Sequence, residues 1–171
     1  MSSIEIIPCL SDNYAYIIRD EQENKNILVD APEHAPIEKY LDAKAMSLDF
    51  ILITHHHSDH IDGINHLKLK YAPKIIGAKR DKHRLPPLDI EVEEGIELSI
   101  GSKKFDIYDV DGHTLGHIAY SLLNDRVLFT GDSLMVMGCG RLFEGTPDDM
   151  WKSLKKLKRL PEDFMIYSGH E

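Results

Sequence analysis

The chain has only two cysteines, Cys9 and Cys139, in 171 residues. So few, so far apart, exclude a disulfide framework and suit reduced thiols. No apolar run approaches the roughly 18 residues that span a bilayer. The start, MSSIEIIPCL, has no basic stretch leading into an apolar one, so no secretory signal is expected. Positive charge is also scarce: 20 Lys and Arg face 29 Asp and Glu, a formal net charge of −9. A phosphate-backbone binder needs the opposite balance. Neither nucleic acid nor membrane is therefore an expected partner, and the expectation is a cytoplasmic protein acting as a monomer. There is no internal repeat, low-complexity tract or linker. What remains, 42% hydrophobic and 29% charged residues, is the composition and length of one globular domain.

Short runs rich in Val, Ile, Tyr and Phe mark strands at 15–19, 26–30, 50–54, 74–77, 96–100, 104–110, 117–123, 126–130 and 164–168. Helical spacing appears at 36–45, 61–71 and 147–160. In the last of these Thr146, Pro147 and Asp149 form a start signal. Trp151, Leu154, Leu157 and Leu160 are expected as its buried stripe. Lys152, Lys155, Lys156, Lys158 and Arg159 then read as the solvated face rather than a nucleic-acid patch. Many strands with interspersed helices make an α/β layered domain. Periodicity alone leaves open whether the sheet is parallel, mixed or split in two.

The loop ITHHHSDHIDG (53–63) crowds four histidines and two aspartates into eleven positions behind the apolar FIL. Three further strands end the same way, at His113, Asp132 and His170. If these ends share one rim, seven donors converge: His55, His57, Asp59, His60, His113, Asp132 and His170. Imidazole nitrogen and carboxylate oxygen bind zinc, iron and manganese. Seven donors are too many for one tetrahedral ion and suit two ions sharing a carboxylate and a water. Without a cation, such crowding would carry a large desolvation penalty.

THHHSDH, with GHT at 112–114, GD at 131–132 and GHE at 169–171, resembles the metallo-β-lactamase superfamily. Within it, TGDSLMVMGCGRLFEGTPDDM (130–150), above all GCGRLFEGT, is similar to glyoxalase II, the hydroxyacylglutathione hydrolases. PCLSDNYAYII and GHTLGHIAY agree. The resemblance implies an αβ/βα sandwich, two mixed sheets flanked by helices, with residues 1–171 as the catalytic domain. It assigns His55, His57 and His113 to one divalent metal, Asp59, His60 and His170 to a second, and Asp132 to both. Zinc is the first expectation, with iron or manganese as alternatives.

The implied reaction cleaves S-2-hydroxyacylglutathione, such as S-lactoylglutathione, to a 2-hydroxy acid and glutathione. A metal-bridging hydroxide is the expected nucleophile, so no catalytic side chain is assigned and Cys139 is not read as one. The thiolate leaves with little acid help because thiols have pKa values near about 8.5. Arg141 and Phe143 are implied to bind the glutathione part. His56 falls on the motif's variable position, and His117 is expected to hydrogen-bond or pack. Asp30 is expected to cap or orient, and His34, His66 and His83 to be surface residues. Members of the family continue into a helical C-terminal domain that is absent from this chain, so an open cleft, a raised KM and a frayed His170 are expected. The rival readings are a lactonase or β-lactamase-like hydrolase, a glutathione persulfide dioxygenase, and a binding module without metals.

Overall fold

Two mixed β-sheets pack face to face in the computed structural model, which describes residues 3–171. The first sheet runs β1 (Ser3–Cys9), β2 (Asn13–Asp20), β3 (Lys25–Val29), β4 (Phe50–Leu52), β5 (Lys74–Ala78) and β6 (Ile90–Val92), in that spatial order. Pairing is antiparallel from β1 to β3 and parallel from β3 to β6. The second sheet is ordered β11 (Met165–Ser168), β10 (Val127–Gly131), β9 (Ile118–Leu122), β8 (Lys103–Asp109) and β7 (Glu97–Ile100). Only β10 and β11 are parallel there.

The alternation of side chains along each strand explains the layers. Ile18, Ile27, Val29 and Leu52 meet Phe105, Ile107, Tyr120 and Phe129 between the sheets. Ile17, Leu28, Ile51 and Ile53 point the other way, onto helices α1 (His34–Ala43) and α3 (Ile64–Tyr71) through Ile37, Leu41, Ile64 and Leu67. Burial on both faces is why β3 and β4 read as unbroken apolar runs. On the far side, Ala119 and Leu128 are covered by Leu157 of α4 (Pro147–Leu157). The short α2 (Ser58–Ile61) lies in the histidine loop. This is the expected two-sheet sandwich with helices outside. Among the described residues no helix is long and apolar enough to cross a membrane.

Nine expected strands are present, and β1 and β6 are additional. Both are edge strands; β1 carries Pro8 and β6 has three residues, so neither shows the two-sided apolar run of a central strand. The start of α4 is as expected, with Thr146 and Asp149 forming a reciprocal capping box and Pro147 in the first turn. Its buried stripe is so only in part: Leu157 is buried and Leu160 packs beside it. Trp151 is 60% exposed, and Met150, Ser153 and Leu157 are the buried positions. A strict three-residue spacing drifts around a helix of 3.6 residues per turn, which carries Trp151 to the solvent side. There Lys155 Nζ lies 5.9 Å from its ring centroid.

Asp20 ties the two sheets at one end. From β2 it accepts hydrogen bonds from the Ser102 N–H (2.6 Å) and Ser102 Oγ (2.7 Å) in the β7–β8 turn, and from Gln22 and Glu23 N–H. Burial would raise its pKa, but the Ser102 hydroxyl and the three backbone N–H groups outweigh that and lower it. A lowered folded-state pKa gives stability that is present above the unfolded value, about 3.9, and lost as pH falls through the lower one. Asp20→Asn should therefore cost about 1–3 kcal/mol at neutral pH by urea unfolding, with the gap from wild type closing in acid.

Candidate metal centre

All seven predicted donors meet at one rim of the sandwich. The rim is formed by the C-terminal ends of β8, β10 and β11, which pairing turns to the same side of one sheet, and by that of β4 in the other, which joins them where the Ile118 N–H donates to the Thr54 carbonyl at 3.0 Å. His55 and His57 follow β4, with Asp59 and His60 in α2; His113 follows β8, Asp132 follows β10, and His170 follows β11. Three sets of donor atoms lie within 4.8 Å of one another: His55/His57/His113, His55/His60/Asp132 and Asp59/His60/His170. Asp132 stands between them, with Oδ2 3.3 Å from His113 Nε2 and 3.4 Å from His170 Nε2, and Oδ1 3.3 Å from His60 Nε2.

The hydrogen bonds outside this cluster fix which nitrogen of each ring faces inward. His60 Nδ1 donates to Asp30 Oδ2 at 2.9 Å, and His113 Nδ1 donates to the Arg141 carbonyl at 2.7 Å. His170 Nδ1 is 3.3 Å from Asp12 Oδ1. Thr54 Oγ1 spends its proton on Asp30 Oδ2 (2.7 Å), so it accepts from His55 Nδ1 at 3.0 Å. All four rings turn Nδ1 to an outer oxygen and Nε2 to the centre.

This arrangement fits a cation. His60 Nε2 and His170 Nε2 face each other at 3.3 Å, and His113 Nε2 lies 3.0 Å from His57 Nδ1. His55 Nε2 and Asp132 Oδ1 are buried with no hydrogen-bond partner. Facing ring nitrogens need a proton or a metal ion between them, and orphaned buried acceptors are costly without positive charge nearby. The carboxylates favour positive charge on the rings beside them. Hydrogen bonds to Asp132 and then Asp59 raise His170 to about 10. Burial opposes charge on His60, but Asp30, Asp132 and Asp59 outweigh it and raise its pKa. Desolvation and then the neighbouring imidazoles hold His55 far below its ordinary value. The site draws positive charge to its carboxylate side while denying it to its most buried ring.

Positioning groups surround the donors. Asp30, at φ +56°, also accepts from the Thr54 N–H at 2.8 Å, locking the end of β3 to the end of β4. His117 Nε2 accepts from the Asp132 N–H at 3.1 Å, and its Nδ1 faces the Ile118 carbonyl. Its ring stacks on His55 at 4.5 Å, and burial lowers its pKa to about 3, so it stays neutral. Asn13 Nδ2 donates to the Asp59 carbonyl and Oδ2, both at 3.0 Å, and is 3.2 Å from His170 Nε2. A Cβ on Gly169 would overlap Asp132 Oδ1 and lie 2.7 Å from His60 Cε1, so only glycine admits this approach.

The other expectations divide. His56 turns away, to Asp81 (3.1 Å) and Glu144 (3.5 Å). Arg141 and Phe143 are exposed at the mouth of a cleft of about 400 Å³ that also takes in Asp12, His57 and Met135. The Phe143 ring stands edge-on to His57 and His113, both at 5.3 Å, with the Arg141 guanidinium 5.7 Å from its centroid. Both cysteines are free, Cys9 buried and Cys139 exposed. His83 is exposed, whereas His34 is half-buried and stacked on His66, so those two are more than isolated surface residues. The sequence does not single out Asn13, Asp12 and Thr54 for these roles. Nothing in a neutral or lone polar residue beside a strand signals which distant ring it will hold.

A rim of histidines and aspartates at strand ends between two mixed sheets defines a class of protein. The family model of the metallo-beta-lactamase superfamily matches residues 10–170, and the chain belongs to that superfamily. Membership implies divalent-metal binding, which the donor set fits. More narrowly, the chain is 55% identical over 168 residues to the hydroxyacylglutathione hydrolase of Ruegeria pomeroyi, a match covering 98% of this chain and 66% of that protein. The chain thus spans a little under two thirds of that relative's length. Among solved structures it is similar to BLEG-1 B3 metallo-beta-lactamase (TM-score 0.90, 23% identity, 99% of this chain and 92% of that one). It is also similar to ETHE1 from Myxococcus xanthus (TM-score 0.84, 28% identity, 100% and 76%).

Asp30→Asn keeps a side chain that tolerates positive φ but removes the charge facing His60. It should weaken cation retention about 10- to 100-fold, measured by competition with a chromophoric chelator. Unchanged retention would contradict the orienting role.

Proposed function

We propose that residues 1–171 form the catalytic domain of a cytoplasmic hydroxyacylglutathione hydrolase, cleaving S-2-hydroxyacylglutathione to a 2-hydroxy acid and glutathione. One observation carries the reading: inward Nε2 atoms of His60, His113 and His170 converge on Asp132 in a chain 55% identical to an enzyme of that name. In this reading His55, His57 and His113 would hold one divalent ion and Asp59, His60 and His170 a second, with Asp132 between the two sets. Zinc is the expected ion, since imidazole-rich sets favour it over magnesium or calcium. When bound, such ions bring the pKa of water down to about 7 and polarise a carbonyl oxygen.

The chain's own residues supply the rest. Asp30, Asp12, Thr54 and the Arg141 carbonyl hold the imidazoles so that no reorganisation is needed on substrate binding. His117 fixes the backbone of Asp132 without adding charge. Burial would raise the pKa of Asp132, but His170 and the other imidazoles lower it, so it stays an anion. Phe143 offers an apolar wall beside the thioester, and Arg141 a cation for the carboxylates of glutathione. Arg141 has no ion-pair partner among the described residues to displace. The leaving thiol, with a pKa near about 8.5, departs without a general acid.

The test is hydrolysis of S-lactoylglutathione by the zinc-loaded protein, set against a lactone and a β-lactam. Thioester cleavage should dominate; preference for either ring substrate would replace this reading with the rival hydrolase. Asp132→Ala should lower thioester cleavage by more than about 100-fold, beyond what loss of a partner outside the donor set costs, and should release metal. Full activity in that variant would end the two-ion account.

A further inference from the structure

Away from the rim, α1 and α3 bring together three side chains that the proposed reaction does not use. His34 and Glu38 stand one turn apart on α1, and His66 projects from α3. One donor atom from each lies within 4.8 Å of the other two. The His34 and His66 rings are stacked, with centroids 3.8 Å apart and planes 18° apart. His66 Nε2 approaches Glu38 Oε1 to 3.0 Å, yet Glu38 Oε1 is buried and makes no hydrogen bond. The approach is off the line that a hydrogen bond requires. It is close to the separation of about 3.3 Å between two donors on one tetrahedral zinc with bonds of about 2.0–2.1 Å.

We propose that His34, Glu38 and His66 form a separate binding site for a divalent transition-metal ion of the zinc, nickel or copper class. Two imidazoles and one carboxylate suit those ions better than magnesium or calcium, which prefer oxygen. The backbone brings the three side chains together, and on binding the two rings would swing out of their stack to aim their nitrogens at one ion. A Cβ on Gly63 would lie 2.7 Å from Glu33 C and 2.9 Å from both the Ala31 carbonyl oxygen and His34 N, so this glycine lets the start of α3 press against the start of α1. The Gly63 N–H donates to the Ala31 carbonyl at 2.9 Å, and the Ala31 N–H donates to the His60 carbonyl at 2.8 Å. An ion there would clamp α1 to α3. Solvent would complete its shell, because the His66 side chain is 52% exposed. Lys70 Nζ is 3.9 Å from Glu38 Oε2 but pairs with Asp42 Oδ2 at 2.7 Å, leaving Glu38 Oε1 free to bind.

Equilibrium dialysis of the whole chain against zinc, with metal counted by elemental analysis, tests this. Wild type should hold one more equivalent than His66→Ala, and Glu38→Gln should weaken that equivalent at least tenfold. Copper bound in its place should show nitrogen hyperfine coupling in wild type that His34→Ala reduces. Thioester hydrolysis should be unchanged in His66→Ala, whose side chain lies on the surface. The readout is a difference between wild type and variant, so it stands even if the rim binds other ions or none. Equal zinc counts in wild type and His66→Ala, or copper signals indifferent to His34→Ala, would overturn the site.

Discussion

Everything at the rim depends on where four protons sit. His55, His60, His113 and His170 each give their Nδ1 proton to a fixed oxygen: a threonine hydroxyl, a buried carboxylate, a backbone carbonyl and a surface carboxylate. That commitment turns the Nε2 atoms of His60, His113 and His170 toward Asp132 and leaves His55 Nε2 buried without a partner. Reversing any of these outer bonds would put a proton where electron density must be. The outer partners are therefore as much a part of the centre as the donors.

The fold makes those commitments possible by ending many strands on one side. β3 and β4 are parallel, so Asp30 at the end of one sits beside Thr54 at the end of the other and binds both its N–H and its hydroxyl. β10 and β11 are parallel as well, and the Gly169 N–H donates to the Gly131 carbonyl at 2.8 Å. That contact sets His170 next to Asp132. The loop after β10 folds back over β8's end, where the Gly140 N–H meets the Asp132 carbonyl and the Phe143 N–H meets the His113 carbonyl. The segment GCGRLFEGT thus serves the centre through its backbone as well as through its exposed Arg141 and Phe143 side chains.

Much of this was legible in the sequence. Central strands showed as apolar runs because both faces are buried, and the donors stood out because His and Asp recur at strand ends. The edge strands β1 and β6 did not, since one-sided burial and a proline blur the pattern. Trp151 was misplaced because a three-residue spacing imitates a stripe over one turn and departs from it over three. The holding roles of Asn13, Asp12 and Thr54 depend on contacts across up to 158 positions of chain, which no local pattern records. The stacking of His34 on His66 is hidden in the sequence for the same reason: the two belong to different helices, and Gly63 is what brings them together.

The most direct test of the central claim is long-range proton–nitrogen NMR of the imidazoles in the zinc-loaded protein. The account predicts that His55, His60, His113 and His170 each carry a proton on Nδ1 and none on Nε2. A proton on Nε2 of any of these rings would contradict the inward convergence on which the metal centre rests.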